Sequence, residues 1–197
     1  MWKRPEGSSV RPGWSSRLVD STAVISPQTE VVSETALTQN TAWRDGNIDI
    51  QVSVNGSVTN LEDADFVDRL RAALGRHGLP PQALEIEFAE SALMRNRARV
   101  LSQLARIKAF GMTCAIDDFG SGYSSFSYLH DIPAEVIKID RAFVPPNDWM
   151  PRDRTVLKAM VTMAHELNYR VVAEGVETQE ALDRVTDAGC DEAQGYH

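Results

Sequence analysis

The 197-residue sequence predicts an α/β protein of parallel βαβ units, with a (β/α) barrel favoured over an open doubly wound sheet. Three observations carry this. Short runs that alternate apolar and polar residues recur between stretches of helical period. Glycines at Gly78, Gly111 and Gly189 stop the helical stretches where a left-handed C-cap is needed. Each predicted strand ends in a polar side chain at its C-terminal tip: Asn55, Glu87, Asp117, Lys138, Glu174 and Gln194. Six such tips meet at one mouth only in a barrel, where the loops after the strands carry the chemistry.

The elements follow in order. Residues 1–30 are rich in Ser, Pro, Gly and Arg and read as an irregular segment with at most a short helix, packed on an ordered domain at 31–197. A helix is expected over 31–43. Ile48, Ile50, Val52 and Val54 alternate with polar residues in a strand ending at Asn55. Asn60 is the expected cap of a helix whose apolar positions are Phe66, Val67, Leu70, Ala73 and Leu74, and residues 84–88 form the next strand. A helix over 97–110 leads to a strand over 112–117, and a short strand covers 136–140. A helix over 153–167 has Val156, Leu157, Met160, Met163 and Leu167 on its core face and precedes a strand over 170–174. A helix over 177–188 and a strand over 192–195 complete about six strands.

Composition narrows the function. Hydrophobic residues make up 43% of the chain, enough for a sizeable core, which excludes a disordered tail. Twenty Lys and Arg face 28 Asp and Glu, a net charge of −8, so the electrostatic footprint of a duplex-DNA binder is missing. Cys114 and Cys190 support neither a disulfide framework nor a zinc site and fit a reducing, cytoplasmic setting. No apolar stretch reaches the roughly 18–20 residues that span a bilayer, and no signal-peptide core follows Met1. His77, His130, His165 and His197 share no ligand spacing.

The acidic tips are hard oxygen donors. Glu87, Asp117, Asp118 and Glu174, with the neutral oxygens of Asn55 and Gln194, suit Mg²⁺ or Mn²⁺ better than a soft metal. Asp117 and Asp118 cannot both point inward from a regular strand, so the strand is expected to end there and free the second carboxylate. Two divalent ions about 3.5–4 Å apart are a standard arrangement for phosphodiester hydrolysis, with Lys138 adding a fixed positive charge. Plainer readings stand beside these. The aspartate pair suits a turn, Lys138 an ion pair with Asp140 or Glu174, and Glu177 a favourable helix start. Asn55 and Gln194 suit hydrogen-bonded strand ends. Trp149 sits in a loop where it can meet a base or a partner.

The run Asp117-Asp118-Phe119-Gly120-Ser121-Gly122-Tyr123-Ser124-Ser125, then Lys138-Ile139-Asp140, Ala173-Glu174-Gly175-Val176-Glu177-Thr178 and Gln194-Gly195-Tyr196 resembles the signature of the EAL domain family. Val54-Asn55-Gly56-Ser57 and Glu87-Phe88-Ala89-Glu90 extend the likeness, with Ala89 in place of the family's Thr. The resemblance implies a TIM-like (β/α) barrel and metal-dependent hydrolysis of cyclic di-GMP to the linear dinucleotide, or a non-catalytic relative that binds the nucleotide or a protein partner. It implies that Asn55, Glu87 and Asp117 hold one ion, and that Asp117, Asp118 and Glu174 hold or address a second. Lys138 and Glu174 would handle the water, Gln194 would line the site and Glu177 would support it. Glu90 and the loop from Gly120 to Ser125, including Ser121, Gly122 and Tyr123, would link metal binding, loop order and dimerisation. Trp2-Lys3-Arg4-Pro5 resembles the segment just after the family's Glu-Ala-Leu-x-Arg motif. The expectation is therefore an incomplete barrel, about six of eight strands, with the eponymous Glu and a phosphate-binding Arg missing and activity reduced, or a native start further upstream.

Overall fold

A computed structural model describes residues 2–3, 9–10, 25–122, 126–144 and 149–196. Two short strands, β1 (Trp2–Lys3) and β2 (Ser9–Val10), pair antiparallel. Six further strands form one parallel sheet: β3 (Val52–Gly56), β4 (Leu84–Ala89), β5 (Thr113–Phe119), β6 (Val136–Ile139), β7 (Arg170–Glu174) and β8 (Glu192–Gln194). Their spatial order is their order in the chain, without the reversal that defines a doubly wound sheet, and the sheet curls into a half-barrel. The barrel reading therefore prevails over the open sheet.

The helices are α1 (Ile25–Asp45), α2 (Val58–Glu62), α3 (Phe66–Arg76), α4 (Glu90–Leu93), α5 (Arg97–Phe110), α6 (Pro151–Glu166) and α7 (Gln179–Ala188). Short 3₁₀ turns lie at Pro81–Ala83, Phe126–Asp131 and Arg141–Phe143. The sheet divides its residues by parity. Val54, Ile86, Phe88, Cys114, Ile116, Ile137, Ile139, Val171 and Ala173 belong to the main core with the helices, whereas Ala115, Val136 and Val172, of opposite parity, form a separate small cluster. Polar tips of that second parity therefore share the inner face of the curl. Among the described residues no helix is long and apolar enough to cross a membrane.

Three boundaries and one helix face differ from expectation. Helix α1 begins at Ile25, within the segment expected to be irregular, because its buried stripe is Thr29, Ser33, Leu37 and Asn40, mostly polar and invisible to a hydrophobic scan. Its Val31 and Val32 face outward. Strand β3 starts only at Val52, with Ile48 and Ile50 exposed ahead of it. Ser57, not Asn60, caps α2: its Oγ accepts from the Asn60 N–H at 3.2 Å while Asn60 Oδ1 accepts from the Ser57 N–H at 2.9 Å. That amide is buried, and its oxygen also accepts from Thr29 Oγ1 at 3.0 Å. On α6, Leu157 and Met160 are buried as expected but Val156 is exposed. Trp149 packs against the core and under the Arg184 guanidinium, 5.3 Å from its ring centre.

Candidate active site

Register brings the tips together. Asn55 lies beside Glu87 across β3 and β4, Ala89 beside Asp117 across β4 and β5, and Glu174 beside Gln194 across β7 and β8. At the centre is Lys138, only 3% exposed, whose Nζ lies 2.7 Å from Glu174 Oε1, 3.0 Å from Glu87 Oε1 and 3.4 Å from Asp117 Oδ1. The expected ion pair with Glu174 is present. Asp140 instead caps the turn Arg141–Phe143, accepting from the Ala142 N–H at 2.7 Å.

Both aspartates reach the cluster without the strand ending. Pairing of β5 with β6 shifts register between Ile116 and Phe119, and Asp118 takes φ +54°, a left-handed conformation rare for a side chain other than glycine. This bulge corrects the expectation that the strand stops at Asp117. Asp117, Asp118 and Glu174 thereby offer carboxylate oxygens within 4.8 Å of one another.

Glycine is required just beyond. Gly120 has φ +91°, and a Cβ there would lie 2.6 Å from the Phe143 ring. Its N–H donates to Glu90 Oε2 at 3.1 Å, and the Tyr128 hydroxyl donates to Glu90 Oε1. Ser121 turns back on Asp118, its Oγ donating to that carbonyl at 2.7 Å. Gly122 follows, exposed, and Tyr123 lies outside the described residues. A Cβ on Gly195, after Gln194, would overlap the backbone of Val176.

Charge in the cluster is unbalanced. Burial works against the Lys138 ammonium, but its bond to Glu174 and the charges of Glu87 and Asp117 outweigh it and raise its pKa. Burial raises Glu87 and Glu174, with Lys138 opposing the rise at both. Asp118 is pushed up to about 6 by burial first, then by the negative charges of Asp117 and Asp140 and by a hydrogen bond to Asp140. A single ammonium cannot neutralise four carboxylates. Asp117 Oδ1 is also buried without accepting a hydrogen bond. An anionic oxygen that accepts no hydrogen bond, set among hard donors, fits a divalent cation.

The structure thus gathers Glu87, Asp117, Asp118, Lys138 and Glu174, with Asn55 and Gln194 exposed beside them on the strand ends. Glu177 is exposed, ahead of the Thr178 cap of α7, and stands outside this ion-pair cluster. His77 and His165 pair separately with Glu34 and Asp191, both at 2.9 Å. Tyr128 and the field of Asp140 were missed, although both residues lie in or next to the runs that mark the site.

A parallel half-barrel with an acidic mouth around one buried lysine defines a (β/α) domain whose carboxylates are spaced to suit a metal ion. The chain belongs to the EAL domain family, which it matches over residues 1–197. It is 36% identical over 195 residues to cyclic di-GMP phosphodiesterase PA2567 of Pseudomonas aeruginosa, covering 99% of this chain and 33% of that protein. It is 37% identical to MucR of the same organism, named a bifunctional diguanylate cyclase/cyclic di-GMP phosphodiesterase, covering 99% of this chain and 29% of MucR. The chain therefore spans about a third of the length of these curated relatives. Among solved structures, the MucR phosphodiesterase in complex with c-di-GMP superposes with a TM-score of 0.87 at 37% identity, covering 95% of this chain and 82% of that one. The EAL enzyme Bd1971, with cAMP and cyclic di-GMP bound, gives 0.92 at 27% identity, covering 99% and 54%.

Proposed function

We propose that this chain is a phosphodiesterase domain, dependent on Mg²⁺ or Mn²⁺, that hydrolyses cyclic di-GMP to the linear dinucleotide. The observation that carries this reading is the set of three carboxylates around one buried lysine, with Asp118 beside them, in a chain of the EAL family. Relatives named for the same activity support it.

Asn55, Glu87 and Asp117 would hold one ion, and Asp117, Asp118 and Glu174 a second. Bound there, divalent ions supply an activated water and offset charge on the phosphate. Lys138 fixes the orientation of Glu87, Asp117 and Glu174 and places a permanent positive charge beside the reacting phosphate. Glu174, whose proton affinity burial has raised, takes the proton of the attacking water as the water oxygen bonds to phosphorus and the ester P–O bond breaks, the leaving ribose oxygen taking up a proton from solvent. Gln194 lines the site from β8, Glu177 lends outer support, and Glu90 keeps the loop from Gly120 in place. We place the catalytic unit over α1 to β8, moving its start from the expected 31 to the beginning of α1, in the cytoplasm, as a homodimer or docked on a protein partner.

The test is release of the linear dinucleotide, followed by chromatography, from wild type and Glu174→Gln with Mn²⁺, Mg²⁺ or a chelator. Product from wild type alone, only with metal, is expected. A folded wild type that makes no product with either ion overturns the enzymatic reading and leaves a nucleotide- or partner-binding module.

A further inference from the structure

We propose that Tyr128 is a positioning residue for the metal site, acting through Glu90 on the loop that carries Asp118; the proposal rests on the functional reading above. Tyr128 lies on the turn Phe126–Asp131 and is 4% exposed. Its hydroxyl donates to one carboxylate oxygen of Glu90, itself 4% exposed, while the other oxygen accepts the Gly120 N–H at 3.1 Å. Glu90 is thus held from two sides, by a side chain and by the backbone of the loop it orders.

The geometry makes the tyrosine end of this clamp consequential. Gly120 is two residues beyond Asp118, and Ser121 closes the intervening turn by bonding the Asp118 carbonyl through both its N–H, at 3.1 Å, and its hydroxyl, at 2.7 Å. Asp118 sits in a left-handed conformation that the surrounding bonds must over-determine. Removing the hydroxyl of Tyr128 takes one donor from a buried carboxylate and loosens its hold on Gly120. Asp118 loses its fixed bearing on Asp117 and Glu174, although no ligand has been removed.

A second buried tyrosine supplies a matched control. Tyr169, 5% exposed, donates to the Leu129 carbonyl at 2.7 Å and the Ile132 carbonyl at 2.9 Å. Burial pushes its phenol up to about 12, so it remains a donor at neutral pH. It braces the far end of the same turn, and its hydroxyl bonds neither Glu90 nor Gly120. Tyr169→Phe therefore removes an equally buried hydroxyl for a structural reason alone.

The experiment measures Mn²⁺ affinity by calorimetry, the Gly120 amide exchange rate by NMR, and kcat and KM for wild type, Tyr128→Phe and Tyr169→Phe. In Tyr128→Phe we expect Mn²⁺ binding about tenfold weaker, the size typical of outer-shell partners. Gly120 should exchange faster, and kcat should fall more than KM rises. Tyr169→Phe should melt lower yet keep its Mn²⁺ affinity within about twofold of wild type. Unchanged Gly120 exchange and Mn²⁺ affinity in Tyr128→Phe overturn the proposal, and so do equal losses in both variants. If wild type binds no Mn²⁺ the functional reading fails first, and Gly120 exchange still reports on the clamp. Should Tyr128→Phe not fold, 4-aminophenylalanine at 128 restores a donor on the same ring. Wild-type affinity in that protein supports the proposal, and affinity lowered tenfold overturns it.

Discussion

At the mouth of the sheet one lysine pairs with three carboxylates, with Asp118 a fourth beside them, whereas along the seam of α1 and α3 acids and bases are matched. There Glu30 and Asp63 each lie 2.5 Å from Arg69, and Glu34 pairs with Arg76 and His77. The two regions shift their carboxylates in opposite directions. Hydrogen bonds from His77 and Arg76 lower Glu34, and one from Arg69 lowers Asp63, while burial raises Glu87, Glu174 and Asp118. Matched pairs in the open need nothing from outside. A partly buried excess of negative charge attracts a cation, so the imbalance marks the candidate functional region and the balance marks the structural one.

The sharpest way to break this contrast is to remove a carboxylate from each side. Asp117→Ala should weaken Mn²⁺ binding by more than about a hundredfold, beyond the effect of losing an outer-shell partner, and Glu34→Ala should leave it unchanged in the same titration. Equal behaviour of the two would end the distinction.

Removing the cations should separate the regions again. Lys138→Met strands Glu87, Asp117 and Glu174 without their partner and should cost about 3–5 kcal/mol in urea unfolding without metal, with part regained on adding Mn²⁺. Arg76→Met, on the exposed seam, should cost no more than about 1 kcal/mol.

Glycine substitutions extend the comparison to the backbone. Gly120→Ala forces a left-handed residue and a Cβ against Phe143 and should destabilise by about 1–3 kcal/mol while weakening Mn²⁺ binding. Gly75, within α3 with nothing within 4 Å of its added Cβ, should gain roughly 0.5–1 kcal/mol as Ala. Thermal melts of the two variants should move in opposite directions.

These contrasts show what was legible in the sequence. Strand tips were readable because parity puts alternate residues on one face, so Glu87, Asp117, Lys138 and Glu174 converge once the strands are parallel and in chain order. The bulge was not readable, because Asp118 gains its position from a positive φ that no periodicity encodes. Nor was the start of α1, whose buried Thr29 and Asn40 are satisfied by hydrogen bonds to Asn60 and to the Ile50 carbonyl rather than by hydrophobic burial. Glu177 matched the signature, yet its place before the α7 cap comes from Thr178, whose Oγ1 accepts the Ala181 N–H at 3.1 Å.

Protonation gives the finest test. Asp118, with a pKa near 6, binds its proton more tightly than a free aspartate, so metal must displace that proton below pH 6. Mn²⁺ affinity should rise from pH 5 to 7 and then level off, and Asp118→Asn should flatten the rise. The seam has the opposite sign: a lowered Glu34 contributes stability above its ordinary value of 4.5 that is lost as pH falls through its folded pKa. Urea midpoints of wild type and Glu34→Gln should therefore converge in acid, by an amount that solvent exposure keeps small.

The claim that the mouth of the sheet is a divalent-metal centre is tested most directly by anomalous scattering from a crystal grown with Mn²⁺. The account requires density for manganese among Asp117, Asp118 and Glu174, within about 2.0–2.3 Å of their oxygens, and none along the α1–α3 seam. Saturating Mn²⁺ that leaves the three carboxylates empty, with Lys138 still bonded to Glu174, would contradict it.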